Sequence, residues 1–405
     1  MESAQDFTTP TFKADPFPTF AQMRLHDPVH EIRMPNGHRG WMITRYEDVD
    51  AVLRDGRFVK DLRNAFSPEE LAQMLSETRR ALFDMGLNRN MVSVDMPDHT
   101  RLRSLLGLSF TPRLIEQWRD RVQAIIDELL DQVQEQGEME MIGGFAYRLP
   151  MMVITEMLGV PTADHEQFHS WSHVLVESFG SPEGPEQFGS VMLEFYAYLM
   201  TLLQEKRGHL ADDLVSRMIQ AEAEGSQLTE AEIISTIILF LVAGHETTAN
   251  LIGNGILALL LHPDQMEKLR QDPSLIKTAI EELLRYQGSL LTATQRWARE
   301  DVELKGKLIR RGDEILVALA SANRDPEAYT APDVLDITRQ ERIHLSFGKG
   351  IHFCIGAPLA RMEGQLAINT LLRRMPNLRL NADVNTLTWR PGTFVMGLNA
   401  LPLAF

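Results

Sequence analysis

One continuous helical run most strongly limits the folds open to this chain of 405 residues. Thr229 and Glu232 have the spacing of a capping box, an apolar stretch begins at Ile233, and no proline follows until Pro263. A helix of about 33 residues extends roughly 50 Å at a rise of about 1.5 Å per residue. Such a rod would cross the whole protein, so the sequence predicts a large, mainly helical fold.

Polar residues interrupt the middle of this helix, which reads FLVAGHETTANLIGNG. Gly244 weakens a helix locally, and the hydroxyl of Thr247 or Thr248 can bond a carbonyl one turn earlier, which predicts a bulge or kink. A buried helix can simply tolerate such residues. Alternatively, an acid beside a hydroxyl could organise water or pass protons, since buried polar groups need partners.

The predicted β-structure is minor. VHEIR and GWMIT flank Pro35, Asn36 and Gly37, a pattern typical of a hairpin. Residues 301–319 have a strand-and-turn texture, and TWRPGTFVMGLNALPLAF at the C-terminus indicates another small sheet. The sheets should therefore be minor elements of a mainly helical protein. Residues 114–136 are predicted to form another amphipathic helix.

Composition excludes several classes of protein. The formal net charge of −16 argues against general nucleic-acid binding, which requires a basic face. The N-terminus lacks the pattern of a signal peptide, and the apolar run at 233–244 is too short to span a membrane. A soluble cytoplasmic protein without membrane attachment is expected. With no linker in the sequence, residues 1–405 should form a single domain, with 1–14 as a flexible N-terminus.

The only cysteine, Cys354, lies in HLSFGKGIHFCIGAPLAR. A free cysteine is most often a small buried apolar residue. Here Gly348 and Gly350 allow a tight loop and the close approach of something flat, while Gly356 clears space beyond the sulfur. The sequence after Cys354 is strongly helical, and a helix N-terminus favours a thiolate.

A thiolate can act as a nucleophile or as a metal ligand. A catalytic Cys–His pair needs an aligned histidine, usually from elsewhere in the fold, which His352 at two residues' distance does not provide. The sequence therefore disfavours a cysteine hydrolase. A single thiolate beside glycines that clear a planar space indicates haem iron.

Four motifs then carry a family resemblance. The loop pattern F-G-x-G-x-H-x-C-x-G resembles the haem-binding loop of the cytochrome P450 superfamily, and AGHET at 243–247 resembles its oxygen-activation motif. E-L-L-R at 282–285 is similar to its Glu-x-x-Arg motif, and HTRLR at 99–103 to a haem-contacting stretch of bacterial members. The resemblance runs from about residue 15 to the C-terminus. It implies the cytochrome P450 fold, a mainly α domain with a long central helix and small β-sheets.

The resemblance also implies a role for each matching residue. Cys354 would be the axial thiolate of haem b, iron protoporphyrin IX, and Glu246 and Thr247 would be the acid–alcohol pair that delivers protons to dioxygen. The other cofactor-binding residues would be Phe347, Gly348 and Gly356 in the loop, Ala243 on the central helix, and His99, Arg103, Arg296 and His352 at the two propionates. His99 and Arg103 are four apart and share a helical face, which supports a common target.

The resemblance also implies a structural ion pair and a substrate pocket, although the sequence patterns of these two sets of residues are less specific than the four motifs. Glu282 and Arg285, joined by Arg339, would form a buried structural ion pair, although the spacing alone also fits an exposed pair. Apolar residues near the motifs would line a substrate pocket or merely belong to the core: Met91, Val92, Leu239, Val242, Leu291, Ala293, Phe394 and Val395.

The implied activity is a monooxygenase that hydroxylates or epoxidises an apolar or amphipathic small molecule with O2 and two electrons. A ferredoxin and an NAD(P)H-dependent ferredoxin reductase would supply the electrons to a monomeric enzyme. The overall sequence is most similar to bacterial members that oxidise polyketide or macrolide-like compounds. Fatty acids and terpenoids remain open as substrates. The alternatives are a peroxide-driven haem-thiolate hydroxylase, a haem-thiolate isomerase or dehydratase, and a haem sensor without turnover. A basic docking patch for the ferredoxin would comprise HTRLR, Arg113, Lys349, Arg361, Arg373 and Arg374.

Overall fold

Helices dominate the computed structural model, which describes residues 6–34, 38–107, 110–178, 188–223 and 228–405. In chain order the α-helices of these residues are α1 (Pro10–Ala14), α2 (Phe17–His26), α3 (Tyr46–Arg54), α4 (Pro68–Met74), α5 (Glu77–Asp84), α6 (Asp98–Gly107), α7 (Pro112–Glu116), α8 (Arg119–Asp131), α9 (Arg148–Leu158), α10 (His165–Ser178), α11 (Phe188–Gly208), α12 (Leu214–Ala223), α13 (Glu230–Leu261), α14 (Pro263–Gln271), α15 (Ile276–Tyr286), α16 (Leu319–Ala322) and α17 (Ala357–Arg374).

The strands are short and lie in three small sheets. They are β1 (Val29–Arg33), β2 (Arg39–Ile43), β3 (Phe58–Val59), β4 (Glu138–Glu140), β5 (Arg296–Ala298), β6 (Val302–Leu304), β7 (Lys307–Ile309), β8 (Glu314–Val317), β9 (Arg379–Leu380) and β10 (Pro402–Ala404). The largest sheet has the order β1-β2-β8-β5-β3, β4-β10-β9 form the second sheet, and β6 pairs with β7. β1 and β2 pair as the predicted antiparallel hairpin. Its turn, Pro35, Asn36 and Gly37, lies outside the described residues.

The predicted central helix is confirmed at both ends. Thr229 caps α13: its hydroxyl accepts from the Glu232 amide at 3.2 Å, and the Glu232 carboxylate accepts from the Thr229 amide at 3.0 Å. Within the described chain α13 is the one helix long and apolar enough to cross a membrane, but 61% of its apolar window is buried inside the protein. A helix buried to this extent belongs to the core of the protein, as the sequence predicts.

Of the bulge or kink predicted in the middle of α13, the bulge is wrong, because the helix is α-helical throughout Glu230–Leu261, and the kink stays a prediction. The hydroxyl of Thr247 donates to the Ala243 carbonyl at 2.9 Å, as predicted, but this bond does not interrupt the helical pattern. A π-helical turn does occur at Ile142–Ala146, in a segment that packs against α13.

Packing on α13 fixes the position of the cysteine loop. α13 contacts α9, α15 and α17, and residues of these helices share one large apolar core. Since only two residues separate Cys354 from α17, contact between α17 and α13 holds the cysteine loop in a set place relative to the central helix.

Two other sequence predictions need correction. The segment 1–14, expected to be flexible, contains α1 in its described part, where Phe7 and Phe12 are buried and pack ring to ring at 5.2 Å between centroids. The helix predicted over 114–136 is divided between α7 and α8, because residues 117–118 form a turn. The extent of one domain over residues 1–405 stays a prediction.

Candidate active site

Glycine geometry shapes the loop before α17. Gly348 and Gly350 have φ angles of 69° and 72°, which other residues adopt at a steric cost. At Gly350 a Cβ atom would also come within 2.8 Å of the Leu53 carbonyl oxygen on α3. The Cys354 amide donates to the Phe347 carbonyl at 3.0 Å and closes the loop. These glycines therefore allow a tight loop seated on α3, with Cys354 at its end.

Cys354 is accessible to solvent, although protein atoms surround its thiol. The side chain retains solvent-accessible area, yet burial among protein atoms is the largest influence on its thiol. Burial raises the thiol pKa, while the backbone amides of Gly356 and Ala357 and the charges of Arg103 and Arg361 oppose that rise. The expected preference for a thiolate at the helix N-terminus is therefore outweighed by burial. A metal cation at the sulfur would reverse this balance, because a coordinating thiol is deprotonated.

Arg361 on α17 links the loop to α15. It forms two hydrogen bonds with the Glu281 carboxylate, at 2.7 and 2.8 Å, and its guanidinium lies 4.5 Å from the centre of the Phe347 ring. These contacts, with His344, lower the pKa of Glu281 to about 2 despite its burial. Phe347 is thus held in place by a cation fixed from a neighbouring helix.

The four cationic or imidazole residues predicted at the propionates lie close together. The rings of His99 and His352 meet edge to face, with 4.5 Å between centroids. Burial, aided by the nearby positive charges of Arg296 and Arg103, lowers the pKa of His352 to about 2. Within the described chain, the buried nitrogens of His99 and Nδ1 of His352 make no hydrogen bond of good geometry, although the Ile351 backbone lies near His99.

Lys60 belongs to the same cluster, and sequence analysis missed it. It is buried, and its ammonium contacts the Thr294 carbonyl at 2.7 Å, the Thr294 hydroxyl, and the Gln295 carbonyl at 2.9 Å. Burial lowers its pKa well below the usual value, and the positive charge of Arg296 lowers it further. Burial likewise lowers the pKa of Arg296 to about 10, and Asp95 is the one acid that offsets either shift.

These residues fit a haem. Lys60, Arg103 and Arg296 concentrate buried or half-buried positive charge near imidazole nitrogens that have no good partner. Buried charge of one sign is costly unless an opposite charge compensates it, and two propionate carboxylates would do so. The accessible sulfur of Cys354 adds a ligand suited to the iron of the same group.

The middle of α13 presents a different chemistry. Ala243 is exposed and Gly244 and Thr247 are half-exposed, although the helix around them is buried. Because the Thr247 hydroxyl gives its proton to the Ala243 carbonyl, its oxygen can still accept a hydrogen bond from a water or a ligand. This face of α13 therefore borders an open space within the protein, with one hydrogen-bond acceptor on it.

Glu246 lies in a buried polar network. Its carboxylate contacts the Arg390 guanidinium and accepts from the Tyr147 hydroxyl at 3.2 Å, and Arg390 also donates to that hydroxyl at 2.5 Å. Burial and the neighbouring carboxylate raise the pKa of Tyr147, so the phenol stays protonated. No direct hydrogen bond between Glu246 and Thr247 is among the described contacts. A carboxylate held in this way can still exchange protons through its partners or through water.

The structure also brings Glu282, Arg285 and Arg339 together. Arg285 forms two bonds with the Glu282 carboxylate, at 2.7 and 2.8 Å, and Arg339 adds a third at 3.2 Å. Glu282 and Arg285 are buried, and the backbone carbonyls of Asn323 and Pro332 accept from Arg285. The group joins α15 to the segment 323–339. It is therefore a structural tie, and the exposed pair that spacing alone allowed is excluded.

The eight predicted pocket residues divide by exposure. Five keep accessible surface: Val92, Leu239, Val242, Phe394 and Val395. Met91, Leu291 and Ala293 are buried, and Leu291 lies wholly in the large apolar core. The neighbouring Leu290 pairs with Val395 and keeps accessible surface. Because a pocket wall needs accessible surface, the burial of Met91, Leu291 and Ala293 does not support their place in it, and their assignment stays a prediction.

Several site residues lacked a usable signal in the sequence. Lys60, Tyr147, Glu281 and Arg390 sit outside the four motifs and reach the site only through the fold. A lysine in the turn after a two-residue strand, or an arginine near the C-terminus, does not stand out from a solvated charge. Their contacts in the structure are what reveal them, since Tyr147 and Arg390 bond to Glu246, Lys60 to Gln295 and Glu281 to Arg361.

Comparisons with known proteins identify the family of the chain. A family model described as cytochrome P450 matches residues 188–383. Cytochrome P450 monooxygenase PikC of Streptomyces venezuelae is 44% identical over 395 residues, which cover 97% of this chain and 91% of that protein. The solved structure of the bacillaene polyketide synthase cytochrome P450 PksS of Bacillus subtilis 168 has a TM-score of 0.91 at 39% identity, covering 99% of each chain. Myxobacterial cytochrome P450 CYP267B1, solved in complex with myristic acid, also has a TM-score of 0.91, at 37% identity with 98% of each chain covered.

The fold and the sequence thus match these proteins over nearly their whole length. The relatives are cytochromes P450, and this chain combines the cysteine loop, the buried cationic cluster and the polar centre of α13. This chain therefore belongs to the cytochrome P450 family and is a monooxygenase of the bacterial type.

Proposed function

We propose that this enzyme binds haem b through the Cys354 thiolate and oxidises an apolar or amphipathic small molecule. The observation that carries the proposal is the accessible sulfur of Cys354 together with a buried cluster of cations that lacks enough acid to balance it. When bound, the cofactor supplies oxygen activation, with the overall reaction R–H + O2 + 2e⁻ + 2H⁺ giving R–OH + H2O. Phe347, Gly348 and Gly356 would border the cofactor on the loop side and Ala243 on the α13 side.

Protons are the part of this reaction that the chain itself must handle. Two are consumed per turnover, so they have to arrive in a controlled way at the oxygen that leaves as water. Glu246 exchanges protons with its network, and the Thr247 oxygen accepts a hydrogen bond from the water that carries them onward. Ala243 and Gly244, lacking bulk, leave room for dioxygen next to Thr247.

The substrate is proposed to be a fatty acid or a polyketide-like molecule. The five accessible apolar residues, Val92, Leu239, Val242, Phe394 and Val395, offer an apolar wall, which suits an extended hydrocarbon chain. Two relatives point the same way, since one is named for polyketide biosynthesis and another was solved with myristic acid. Hydroxylation or epoxidation are the expected reactions.

One experiment tests activity and substrate class together. The holoenzyme is screened for spectral shifts with fatty acids, macrolactones and terpenoids, and hits are incubated with a surrogate ferredoxin, its NAD(P)H-dependent reductase and O2. We expect a product that has gained one oxygen atom and that depends on the electron chain. Turnover with hydrogen peroxide alone, at the same rate as with the electron chain, would instead favour a peroxide-driven hydroxylase.

Replacing Lys60 should weaken cofactor binding. Lys60→Met removes buried positive charge while keeping an apolar stem of similar length. We expect the haem to bind about tenfold more weakly, because charge-assisted interactions contribute about 1.5–3 kcal/mol. The rise in melting temperature from apoprotein to holoprotein should shrink accordingly. Lys277→Met, which removes an exposed lysine on α15, is the matched control, and equal haem affinity in both variants would contradict the role of Lys60.

We further propose that an acidic ferredoxin delivers the electrons in the cytoplasm, to a monomeric enzyme. The predicted docking patch shrinks once contacts are considered, because Arg361 pairs with Glu281, Arg374 with Asp127 and Asp131, and Arg101 with Glu232. Arg113, Lys349 and Arg373 form no ion pair among the described contacts and are exposed or half-exposed. With Arg103 assigned to the haem propionates, these three are the cations of the patch left to attract a partner.

Electron transfer should therefore depend on salt. Raising the ionic strength should slow reduction by ferredoxin, because opposite charges are screened beyond about 8 Å at about 0.15 M. Arg113→Glu combined with Lys349→Glu should slow reduction at low salt and flatten its salt dependence, as followed by stopped-flow spectroscopy. Arg80→Glu, on α5 and outside the patch, is the control for a charge reversal elsewhere on the surface. Reduction that ignores salt, or an equal effect of Arg80→Glu, would rule out docking through these residues.

A further inference from the structure

A lysine from the N-terminal helix reaches the buried network of Glu246. Lys13 on α1 has no exposed surface, and its ammonium donates to the Pro391 carbonyl at 3.3 Å. The next residue towards the N-terminus on that C-terminal segment, Arg390, contacts Glu246. A second tie lies close by, since the Gly392 amide donates to the Thr8 carbonyl at 2.9 Å. The N-terminus and the C-terminal segment thus meet beside the central helix.

The described charged groups that face Lys13 are few. They are Glu246 on α13, whose carboxylate stabilises the ammonium, and Arg390 on the C-terminal segment, whose guanidinium opposes it. Tyr147, at the start of α9, is hydrogen-bonded to both of these groups. Two cations and one carboxylate therefore share a buried space, with a phenol between them.

Keeping an ammonium in this place is expensive. A buried lysine with one long hydrogen bond loses most of its hydration, and a buried ion pair is often less stabilising than apolar side chains of the same volume. Burial lowers the pKa of Lys13 to about 8, although Glu246 partly counteracts the shift. Phe12 beside it shows that an apolar residue packs well in this helix. The lysine is therefore poorly explained by stability alone.

We propose that Lys13 is a positioning residue of the monooxygenase, which sets the charge of the Glu246 network and thereby the supply of protons to the oxygen side of α13. The inference rests on the function proposed for Glu246. In the balanced step, the ammonium gives a proton, through an intervening water, to the Glu246 carboxylate, leaving a neutral amine and a carboxylic acid. Glu246 then passes this proton on through water at Thr247, and Lys13 takes a new one from solvent.

Solvent lies close to Lys13. Ala14 and Asp15 follow it in the chain and are exposed, so the backbone of the chain at this point borders bulk solvent. In this arrangement α1 separates solvent from Glu246 on the central helix. Proton transfer across α1 requires a side chain that can both hold and release a proton.

The pH dependence of turnover tests the proposal. As a base with a lowered pKa, Lys13 is charged below about pH 8 and neutral above it. The rate of product formation in the wild-type enzyme should fall as the pH rises through about 8. Lys13→Met should be about tenfold slower at pH 7, less than the roughly 10²-fold of a direct general acid, and should lack the step near pH 8. Its solvent deuterium isotope effect should rise.

Lys13→Arg and Lys277→Met complete the experiment. Arginine stays charged across this pH range, so Lys13→Arg should also lose the step near pH 8. Lys277→Met should behave as wild type. A Lys13→Arg enzyme that keeps the wild-type pH profile would overturn the proposal, even if Lys13→Met fails to fold. A wild-type rate and isotope effect in Lys13→Met would overturn it as well.

Failure of the function proposed for the site gives a different result. In that case the wild-type protein would lack the thiolate spectrum or would form no oxygenated product. The Lys13 variants should instead keep the haem content, the reduced carbon monoxide spectrum and the substrate dissociation constant of wild type. Only the rate, its pH profile and the isotope effect should change.

Discussion

Cys354→Ala should abolish the far red-shifted absorption band of the reduced carbon monoxide complex, and monooxygenase turnover with it. That band reports a thiolate ligand, and Cys354 is the only cysteine in the chain, so no other residue can supply the sulfur. The expected effect is complete loss of the signature, even if some haem remains bound through the cationic cluster. Difference spectra of the two proteins at equal haem content measure it.

The comparison needs a control from the same loop. Lys349→Ala removes a half-exposed charge five residues before the cysteine and should keep the red-shifted band. A Cys354→Ala protein that keeps the band would refute the ligand assignment. A wild-type spectrum of the imidazole-ligated type would refute it too, and would direct attention to His99 and His352, whose rings are in contact.

Features set by neighbouring residues could be predicted from the sequence. The capping box at Thr229 and the proline at 263 fix the ends of α13, because cap hydrogen bonds form between residues three apart. The glycine conformations before Cys354 likewise depend on a few consecutive residues. The long helical run predicts a mainly helical protein, and the family resemblance adds the cytochrome P450 fold, which the comparisons confirm.

Features set by distant elements could not be predicted. Tyr147 and Arg390 bond to Glu246 across 99 and 144 residues, and Lys60 reaches Thr294 across 234. No periodicity or spacing encodes such contacts, since the fold alone creates them. The result changes the chemistry that one expects of Glu246, which is an acid held by a cation and a phenol and not a free carboxylate.

Two local predictions differ from the structure. The bulge at Gly244 is absent, since α13 stays α-helical although the Thr247 hydroxyl bonds the Ala243 carbonyl. Leu291 is predicted in the pocket but is fully buried in the core, whereas its neighbour Leu290 keeps accessible surface. Short irregular segments offer too few residues for the register to be read from sequence.

Separate changes at Thr247 and Glu246 should have distinct effects on turnover. Thr247→Ala removes the oxygen that accepts a hydrogen bond beside Ala243, while leaving the ionisable groups in place. Protons should still arrive, but not at the right oxygen. We expect NAD(P)H and O2 to be consumed with hydrogen peroxide released in place of product. Thr248→Ala, at the buried neighbouring threonine whose hydroxyl lies 3.5 Å from the Gly244 carbonyl, is the matched control and should stay coupled.

Glu246→Gln should slow the reaction without uncoupling it to the same degree. The amide keeps the size of the side chain and can still contact Arg390 and Tyr147, but it cannot take up and release a proton. General acid–base groups typically contribute about 10²–10⁴-fold, so a loss of at least about 10²-fold in product formation is expected. Measuring NAD(P)H consumed, peroxide formed and product formed in parallel separates the slow variant from the leaky one. Wild-type rate and coupling in both variants would return Glu246 and Thr247 to polar residues that a buried helix merely tolerates.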